Sequence, residues 1–133
     1  MIVLDASVGL KRVLVEPDSD KALALQGEFI APDFYPVECS HSLVRAERKG
    51  IILPGDAERL FGLLLNDLPV LYPSLPLLPR AVELASKFRK GVYDCCYLAL
   101  AEHEGCDFVT ADEKLIADLR SQFSFIISLS EIS

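Results

Sequence analysis

The sequence lacks the closely spaced cysteine and histidine pairs that hold zinc or form redox motifs. Its four cysteines include no C-x-x-C pair, and only two histidines accompany them. Because zinc sites and thioredoxin-like motifs depend on such pairs, we expect neither. We interpret the cysteines as small, buried hydrophobic residues of a cytosolic protein; they are Cys39, Cys95, Cys96 and Cys106.

The sequence also lacks an apolar run long enough to cross a membrane. Its longest uncharged stretch, residues 68–79, has twelve residues and contains four prolines. A membrane-spanning helix needs about 18 apolar residues. The first strand-like residues, MIVLD, follow no basic segment, so we expect no secretory signal peptide. The sequence therefore predicts a cytoplasmic protein with no membrane partner.

Basic residues are scarce for a protein that acts on nucleic acid. The chain has 13 Lys and Arg against 20 Asp and Glu, a net charge of −7, whereas phosphate binding favours positive charge. Any contact with RNA would have to come from local clusters, and each of these is also typical of a solvated helix face. The clusters are Lys11–Arg12, Arg45 with Arg48 and Lys49, and Lys87 with Arg89 and Lys90.

Several common catalytic motifs are absent. The chain has no G-x-G-x-x-G, Walker loop, H-E-x-x-H or G-x-S-x-G sequence, which argues against the corresponding nucleotide-binding, metalloprotease and hydrolase classes. A phosphorelay receiver needs a phosphoacceptor aspartate at the end of a mid-chain strand. Asp56 lies instead in LPGD, which opens a helix.

The pattern along the chain predicts a single α/β domain over residues 1–133. Its length and 51% hydrophobic content suffice for a conventional core, and alternating strand-like and helix-like segments favour a mostly parallel sheet. Strands are predicted at 1–5, 29–31, 68–71, 108–110 and 124–128, with Pro32 interrupting the second. Helices are predicted at 7–15, 19–27, 36–49, 55–66, 77–90, 93–104 and 113–120, with Ser7 as N-cap of the first and Gly91 ending the fifth.

Two aspartates directly follow predicted strands. Asp5 closes the apolar strand MIVLD, and Asp112 follows the strand at 108–110. Ligands of parallel α/β sheets bind outside the carboxyl ends of the strands, so both aspartates are candidates for a site. Each is also suited to cap the helix that follows it. For Asp112 taken alone, capping is the favoured interpretation.

Asp94 and Glu38 lie in the first turns of two predicted helices. Asp94 is the one charge in residues 92–101, a helix apolar on all sides, where an unpaired carboxylate would be costly to bury. Its alternative role is to complement the helix dipole. Glu38 shares a polar stripe with His41, Ser42, Arg45 and Lys49. Periodicity alone makes it a first-turn acid on an exposed face.

Taken together, the four carboxylates predict a metal site. In a parallel sheet, the ends of strands and the starts of the following helices share one edge of the molecule. Four carboxylates brought together there would repel one another and raise each other's pKa. A divalent cation relieves that repulsion, and oxygen ligands suit Mg²⁺ or Mn²⁺.

Three segments give the chain a resemblance to a known family. They are VLDASVGLKRVLVEP at 3–17, APDFYPVECSHSLVRAERKG at 31–50 and YDCCYLALAEHEGCDFVTADEKL at 93–115. These segments resemble the PIN-domain nucleases, and more narrowly the VapC-type toxins of toxin–antitoxin pairs. The last is the most specific, since YDxxYLALAE followed by T-x-D-x-x-L is rarely met by chance.

The resemblance implies a fold and a set of site residues. The fold is a three-layer α/β/α arrangement around a mostly parallel sheet of about five strands. Asp5, Glu38, Asp94 and Asp112 fall on the family's acidic positions, as catalytic residues and metal ligands. Ser7 and Thr110 fall on its supporting hydroxyl positions. His41 is a departure, because the family often has Asn there; one turn from Glu38, it is a candidate for a contact with RNA or with the metal-bound water.

The resemblance also implies an activity and partners. We expect a Mg²⁺- or Mn²⁺-dependent ribonuclease that hydrolyses RNA phosphodiester bonds and is the toxin of a toxin–antitoxin system. Its expected partners are RNA, a cognate antitoxin and a second copy of the chain in a homodimer. The predicted helix 55–66, with Phe61 and Leu63–Leu65, offers apolar surface for such contacts. The alternative is a non-catalytic PIN-fold module that binds RNA or a partner protein without cutting.

Overall fold

The sheet has five strands and is parallel throughout. The computed structural model describes residues 1–133, and its strand order is β3-β2-β1-β4-β5. The predicted α/β class and parallel sheet are confirmed. The strands are β1 (Ile2–Leu4), β2 (Phe29–Pro32), β3 (Val70–Tyr72), β4 (Asp107–Thr110) and β5 (Ile126–Ser128).

Seven α-helices connect the strands and cover the sheet, which gives the expected three-layer α/β/α arrangement. Parallel strands are joined by right-handed crossovers, so connections that run in opposite directions along the sheet lie on opposite faces. None of the helices has the length and apolar character needed to cross a bilayer. The helices are α1 (Ala6–Lys11), α2 (Ser19–Ala24), α3 (Tyr35–Arg48), α4 (Asp56–Leu65), α5 (Leu78–Phe88), α6 (Val92–Glu104) and α7 (Glu113–Leu119).

The strand order reverses at the pair β1 and β4. The chain first builds the sheet outward from β1 to β2 and β3, and then returns to place β4 and β5 on the other side of β1. In doubly wound sheets, the crevice outside the carboxyl ends of the strands at such a reversal is where ligands bind. Asp5 follows β1 and Asp112 follows β4. Both therefore lie at the position that the topology favours for a site.

Helix α6 forms the centre of the hydrophobic core. It packs against β1, β2 and β4 on one side and against α5 on the other. All seven residues from Cys95 to Ala101 are buried, with at most 3% of any of them exposed. The helix is therefore enclosed on all sides, as its uniformly apolar sequence predicts. This burial holds the first turn of α6, and with it Asp94, in a defined place.

Three local predictions are wrong. Helix α1 begins at Ala6, so Ser7 is inside its first turn and Asp5 holds the N-cap position. Pro32 does not interrupt β2 but belongs to it, in register with Tyr72. Helix α5 ends at Phe88, where Arg89 adopts a left-handed conformation with φ of 58°. Gly91 instead occupies the N-cap position of α6.

Several predicted boundaries also shift. The helices predicted at 7–15 and 19–27 are shorter, because the chain leaves the helical conformation at Leu25 in the second and continues as turns after Lys11 in the first. The predicted extended run 68–71 is strand β3 at Val70–Tyr72. A 3₁₀ turn at Leu75–Leu77 precedes α5. All of these segments are short, and the stretch 68–79 also contains four prolines; periodicity carries little information over so few residues.

A glycine allows α1 and α3 to approach closely. A Cβ atom built on Gly9 would lie 1.8 Å from the hydroxyl oxygen of Tyr35 and 2.8 Å from its ring carbon Cζ. Tyr35 is only 1% exposed, so its ring has no open space to enter. This contact sets the distance between the helix that follows Asp5 and the helix that carries Glu38.

We expect Gly9→Ala to destabilise the protein, although alanine is the better helix former. Overpacking a filled core typically costs about 1–3 kcal/mol. The matched control is Gly62→Ala in α4, where the added methyl meets nothing within 4 Å. That change should stabilise the protein by up to about 1 kcal/mol. Urea unfolding of both variants measures the difference, and equal effects at the two glycines would contradict the packing argument.

Candidate active site

Asp5 is held by two hydroxyl groups at the carboxyl ends of β1 and β4. The Ser7 hydroxyl donates to Asp5 Oδ2 over 2.7 Å, and the Thr110 hydroxyl donates to the same oxygen over 2.6 Å. Neither hydroxyl binds Oδ1. Asp5 is 8% exposed. Burial raises its pKa, the two hydroxyl donors lower it, and the charge of Asp112 raises it.

Backbone amides hold the two hydroxyl groups in turn. The Ala111 N–H donates to Ser7 Oγ over 3.1 Å, and the Asp112 N–H donates to Thr110 Oγ1 over 3.1 Å. Each hydroxyl thus accepts from the turn after β4 and donates to the carboxylate after β1. This arrangement fixes the rotamer of Asp5, because the Ser7 and Thr110 hydroxyls make no hydrogen bond to any other side chain. The structure therefore brings the two expected supporting hydroxyls, Ser7 and Thr110, into direct contact with Asp5.

Asp112 performs the capping role that its position suggests and also faces the site. Its Oδ1 accepts a hydrogen bond from the Leu115 N–H over 3.1 Å, which caps α7. Its charge nevertheless raises the pKa of both Asp5 and Asp94. Asp5, by contrast, occupies an N-cap position without making a side-chain cap bond. Asp112 therefore caps a helix in addition to facing the cleft, whereas the side chain of Asp5 does not cap α1.

Asp94 lies in the first turn of α6 without capping it. Burial raises its pKa to about 6, and the charges of Asp5 and Asp112 add to the increase. The nearby Lys90 lowers the pKa, although its ammonium group is paired with Asp118. Dipole stabilisation at a helix start would lower the pKa of an acid. The net increase shows that desolvation and neighbouring carboxylates dominate at this position.

Glu38 is half-buried rather than on an open face, and a tyrosine holds it. The Tyr97 hydroxyl donates to Glu38 Oε1 over 2.7 Å, from a ring that is 1% exposed. Burial raises the pKa of Glu38 to about 7; the bond from Tyr97 opposes this, and the charges of Asp5 and Asp94 reinforce it. Periodicity predicted an exposed position because it counts only the neighbours along α3. The partner Tyr97 comes from α6, 59 residues away.

The four carboxylates line one cleft of about 290 Å³. Ser7, His41 and Ser42 contribute to the same cleft, with His41 exposed at its rim. The four acids come from the ends of β1 and β4 and from the first turns of α3 and α6. Six of the seven residues that the sequence singles out therefore line this cleft. The seventh, Thr110, is fully buried beneath the cleft and donates to Asp5.

The donor chemistry of the cleft fits Mg²⁺ or Mn²⁺. Carboxylate and hydroxyl oxygens are the donors on offer, and these hard ligands suit hard cations. The acids raise one another's pKa, which is the repulsion that a cation would relieve. The acids line a common cleft, but no three Asp, Glu, His or Cys side chains are grouped closely enough to hold an ion.

Two residues of the site were missed by the sequence interpretation. Tyr97 lies three positions after Asp94 and therefore on the same face of α6, which was the available signal. Ser42 was assigned to the polar stripe of α3 but given no role. It lines the carboxylate cleft and also a small neighbouring cavity with Arg45 and Lys49.

The sequence matches the PIN domain family over residues 2–120. The chain belongs to the PIN-domain family. No curated protein sequence matches it. Two solved structures share the fold of this PIN domain. A toxin–antitoxin complex from Klebsiella pneumoniae contains a chain with 14% identity and a TM-score of 0.68, and the match covers 97% of this chain and 98% of that one. The crystal structure of PAE2754 from Pyrobaculum aerophilum has 22% identity and a TM-score of 0.74, with 97% and 90% covered.

We expect the metal-free PIN domain to lose stability as the pH rises from about 4 to about 7. The folded-state pKa values of Glu38 and Asp94, about 7 and about 6, lie above their ordinary values of 4.5 and 3.8. The folded protein therefore holds protons that the unfolded chain has released, and stability falls through this pH window. Melting temperatures in EDTA across the window measure the effect.

Asp94→Asn should make this pH profile flatter, because the variant removes one of the repelling charges. The matched control is Asp20→Asn, which changes an exposed acid in the first turn of α2 and should leave the profile as in the parent protein. If Asp94→Asn and Asp20→Asn alter the profile equally, the carboxylates do not repel one another in the folded protein.

Proposed function

We propose that this PIN domain is a metal-dependent endoribonuclease and the toxin component of a toxin–antitoxin system. The observation that carries the proposal is the convergence of four carboxylates, from four separate elements, in one cleft at the reversal point of the sheet. Burial and neighbouring carboxylates raise the pKa of Asp5, Glu38 and Asp94, which indicates a cleft where negative charge is unfavourable without a cation. Groups that perturb one another in a cleft are typical of functional sites.

Each carboxylate has a distinct part in the proposed reaction. Asp5 and Asp94 would hold the metal directly, with Asp5 oriented through the Ser7 and Thr110 hydroxyls. Bound Mg²⁺ or Mn²⁺ would supply polarisation of the scissile phosphate and a lowered pKa for the attacking water. Asp112 and Glu38 would complete the ligand set or orient that water. Tyr97 occupies Oε1 of Glu38 and leaves Oε2 free for it.

The substrate would approach along α3, where basic residues come next to the acids. Arg45 and Lys49 share a small cavity with Ser42, which also lines the carboxylate cleft. The other basic clusters are largely committed elsewhere: Arg12 pairs with Asp67 and Lys90 with Asp118. The chain as a whole has a net charge of −7 and does not favour phosphate binding. The cluster of Arg45 and Lys49 would provide the phosphate contact locally.

The spacing of the acids without metal favours a second candidate function. Because no three of them are grouped as metal ligands, the chain could be a non-catalytic PIN module that binds RNA or a protein. The mutual increase in pKa argues for the nuclease, since a pure binding module has no need to retain the repulsion. A cleavage assay separates the two.

The partner proposals rest on apolar surface beside the site. A cavity of about 610 Å³ between α1, α3 and α4 adjoins the carboxylate cleft through Ser7 and Ser42. On α4, Leu63 and Leu65 are 49% and 47% exposed. The Klebsiella structure is a toxin–antitoxin complex. We propose that an antitoxin binds this chain in the cytoplasm, where its buried free thiols would stay reduced, and that the chain forms a homodimer.

We expect the purified protein to cleave RNA in Mg²⁺ or Mn²⁺, and EDTA or Asp94→Asn to abolish cleavage. Metal at ten times its dissociation constant should stabilise the wild type by RT ln 11, about 1.4 kcal/mol, or a melting shift of about 3–6 °C. The Asp94→Asn variant should show a much smaller shift. Gel assays on tRNA, rRNA and mRNA pools, together with melting curves, provide the measurements.

Two results would count against this mechanism. Asparagine has nearly the same size as aspartate but carries no charge, so retained cleavage with an unchanged metal shift in Asp94→Asn would remove Asp94 from the site. Inert wild-type protein on all three RNA pools in both metals would favour the non-catalytic module. Asp20→Asn again serves as the control and should behave as the wild type does.

We expect the protein to sediment as a dimer at micromolar concentration. If the exposed leucines of α4 form the dimer contact, Leu63→Glu should shift the protein toward the monomer. The folded monomer should be little affected, because the Leu63 side chain is half exposed. Leu23→Glu is the matched control on α2, where Leu23 is 59% exposed. A monomer in the wild type, or equal effects of the two changes, would contradict this assignment.

A further inference from the structure

A second cavity adjoins the carboxylate cleft on the side away from Arg45 and Lys49. It has a volume of about 380 Å³ and shares Glu38 and His41 with the cleft. Its remaining lining comes from Phe34, Val37 and Tyr93. We call it the aromatic pocket. It lies within the size range of small-ligand sites, which combine apolar walls with a few polar groups.

The aromatic rings of this pocket are positioned by the active site itself. Phe34 packs edge-to-face against Tyr97, with ring centroids 5.6 Å apart, and against Tyr93, with centroids 5.0 Å apart. Tyr97 is the residue that donates to Glu38, and Tyr93 immediately precedes Asp94. The pocket and the carboxylates are thus built on the same turns of α3 and α6 and keep a fixed spacing.

The pocket is open, although its walls are apolar. Tyr93 is 61% exposed and Val37 is 66% exposed, and both are among the large hydrophobic residues that no part of this chain covers. No Lys or Arg lines the pocket, and Glu38 contributes a carboxylate. The chemistry therefore disfavours a phosphate and suits a flat, neutral ring with polar edges.

We propose that the aromatic pocket binds an unpaired nucleobase next to the phosphodiester bond that is cleaved. This inference rests on the proposed ribonuclease function and specifies its substrate: a single-stranded or looped RNA whose base can leave the stack. Bases splayed from single-stranded RNA stack on Tyr, Phe and His side chains in this way. Stacking also supplies affinity that does not depend on positive charge, which a chain of net charge −7 lacks.

The pocket and the cationic cavity divide the recognition of RNA between them. Val37, Glu38 and His41 face the aromatic pocket from one side of α3, and Ser42, Arg45 and Lys49 line the other cavity one to two turns later. A strand crossing α3 would place a base in the first and backbone phosphates near the second. The carboxylate cleft lies between them, in contact with both through His41 and Ser42.

Cleavage kinetics on a single-stranded oligoribonucleotide test the role of Tyr93. Tyr93→Ala should lower kcat/KM by about 5- to 150-fold, mainly through KM, as expected for the loss of one stacked base. Tyr93→Phe and Tyr93→Trp should retain most of the activity, because they keep a ring. Leu53→Ala, at an apolar residue that is 71% exposed and outside the pocket, is the control. The melting temperature of Tyr93→Ala should match that of the wild type.

A fluorescence experiment reports binding independently of cleavage. The chain contains no tryptophan, so Tyr93→Trp introduces a single emitter at the pocket. In the Asp94→Asn background, the intact single-stranded oligoribonucleotide should quench this emission. A series of oligomers with one abasic position each should lose the quenching at one position only, adjacent to the bond that the wild type cuts. A fully paired duplex of the same sequence should quench poorly.

The outcomes separate this inference from the proposed function. Wild-type cleavage with an unaffected Tyr93→Ala variant and no abasic effect overturns the aromatic pocket as a base site and leaves the nuclease intact. Quenching by single-stranded RNA without any wild-type cleavage supports the pocket and overturns the nuclease. Equal quenching by duplex and single strand, or none by either, overturns the pocket.

Discussion

The hydrogen bonds between Asp5 and the end of β4 are the constraint on which the rest of the site depends. Thr110 and Ser7 hold one oxygen of Asp5, and backbone amides of the turn after β4 hold both hydroxyls. These bonds tie the first strand of the chain to a strand more than 100 residues later, at the reversal point of the sheet. A misplaced β4 would therefore disrupt the orientation of Asp5 as well as the ladder.

Around Asp5, three of the four acids of the cleft are at least partly buried, which makes their ionised forms less favourable. Helix α6 is enclosed on all sides, and its burial forces Asp94 into surroundings where ionisation is unfavourable. Burial also disfavours the ionised forms of Asp5 and Glu38. Hydrogen bonds from the Ser7 and Thr110 hydroxyls to Asp5, and from Tyr97 to Glu38, offset part of this effect. The cleft is thereby lined with partly buried carboxylates, between which electrostatic interactions are stronger than in water.

That the four acids lie together could be predicted from the sequence, because each occupies a position with a topological meaning. Asp5 and Asp112 end strands, and Glu38 and Asp94 begin helices, so a parallel sheet necessarily brings them to one edge. The topology of the sheet does not predict the contact of Tyr97 with Glu38 or the aromatic pocket. Both depend on packing between α6 and the start of α3, as in the contact of Tyr93 with Phe34. Local errors at Ser7, Pro32 and Gly91 arose where a single residue fits several backbone roles.

The first turn and a half of α6 carries three functions on one rigid segment. Tyr93 faces the aromatic pocket, Asp94 faces the carboxylate cleft, and Tyr97 holds Glu38. The buried run from Cys95 to Ala101, which continues this segment, prevents it from sliding or rotating alone. The three side chains are therefore displaced as a unit, so that any shift of α6 that alters the aromatic pocket also moves Asp94 in the carboxylate cleft. Val37 and His41 instead lie exposed on α3, so that a side-chain replacement at either position changes the lining of the aromatic pocket while α6 stays in place.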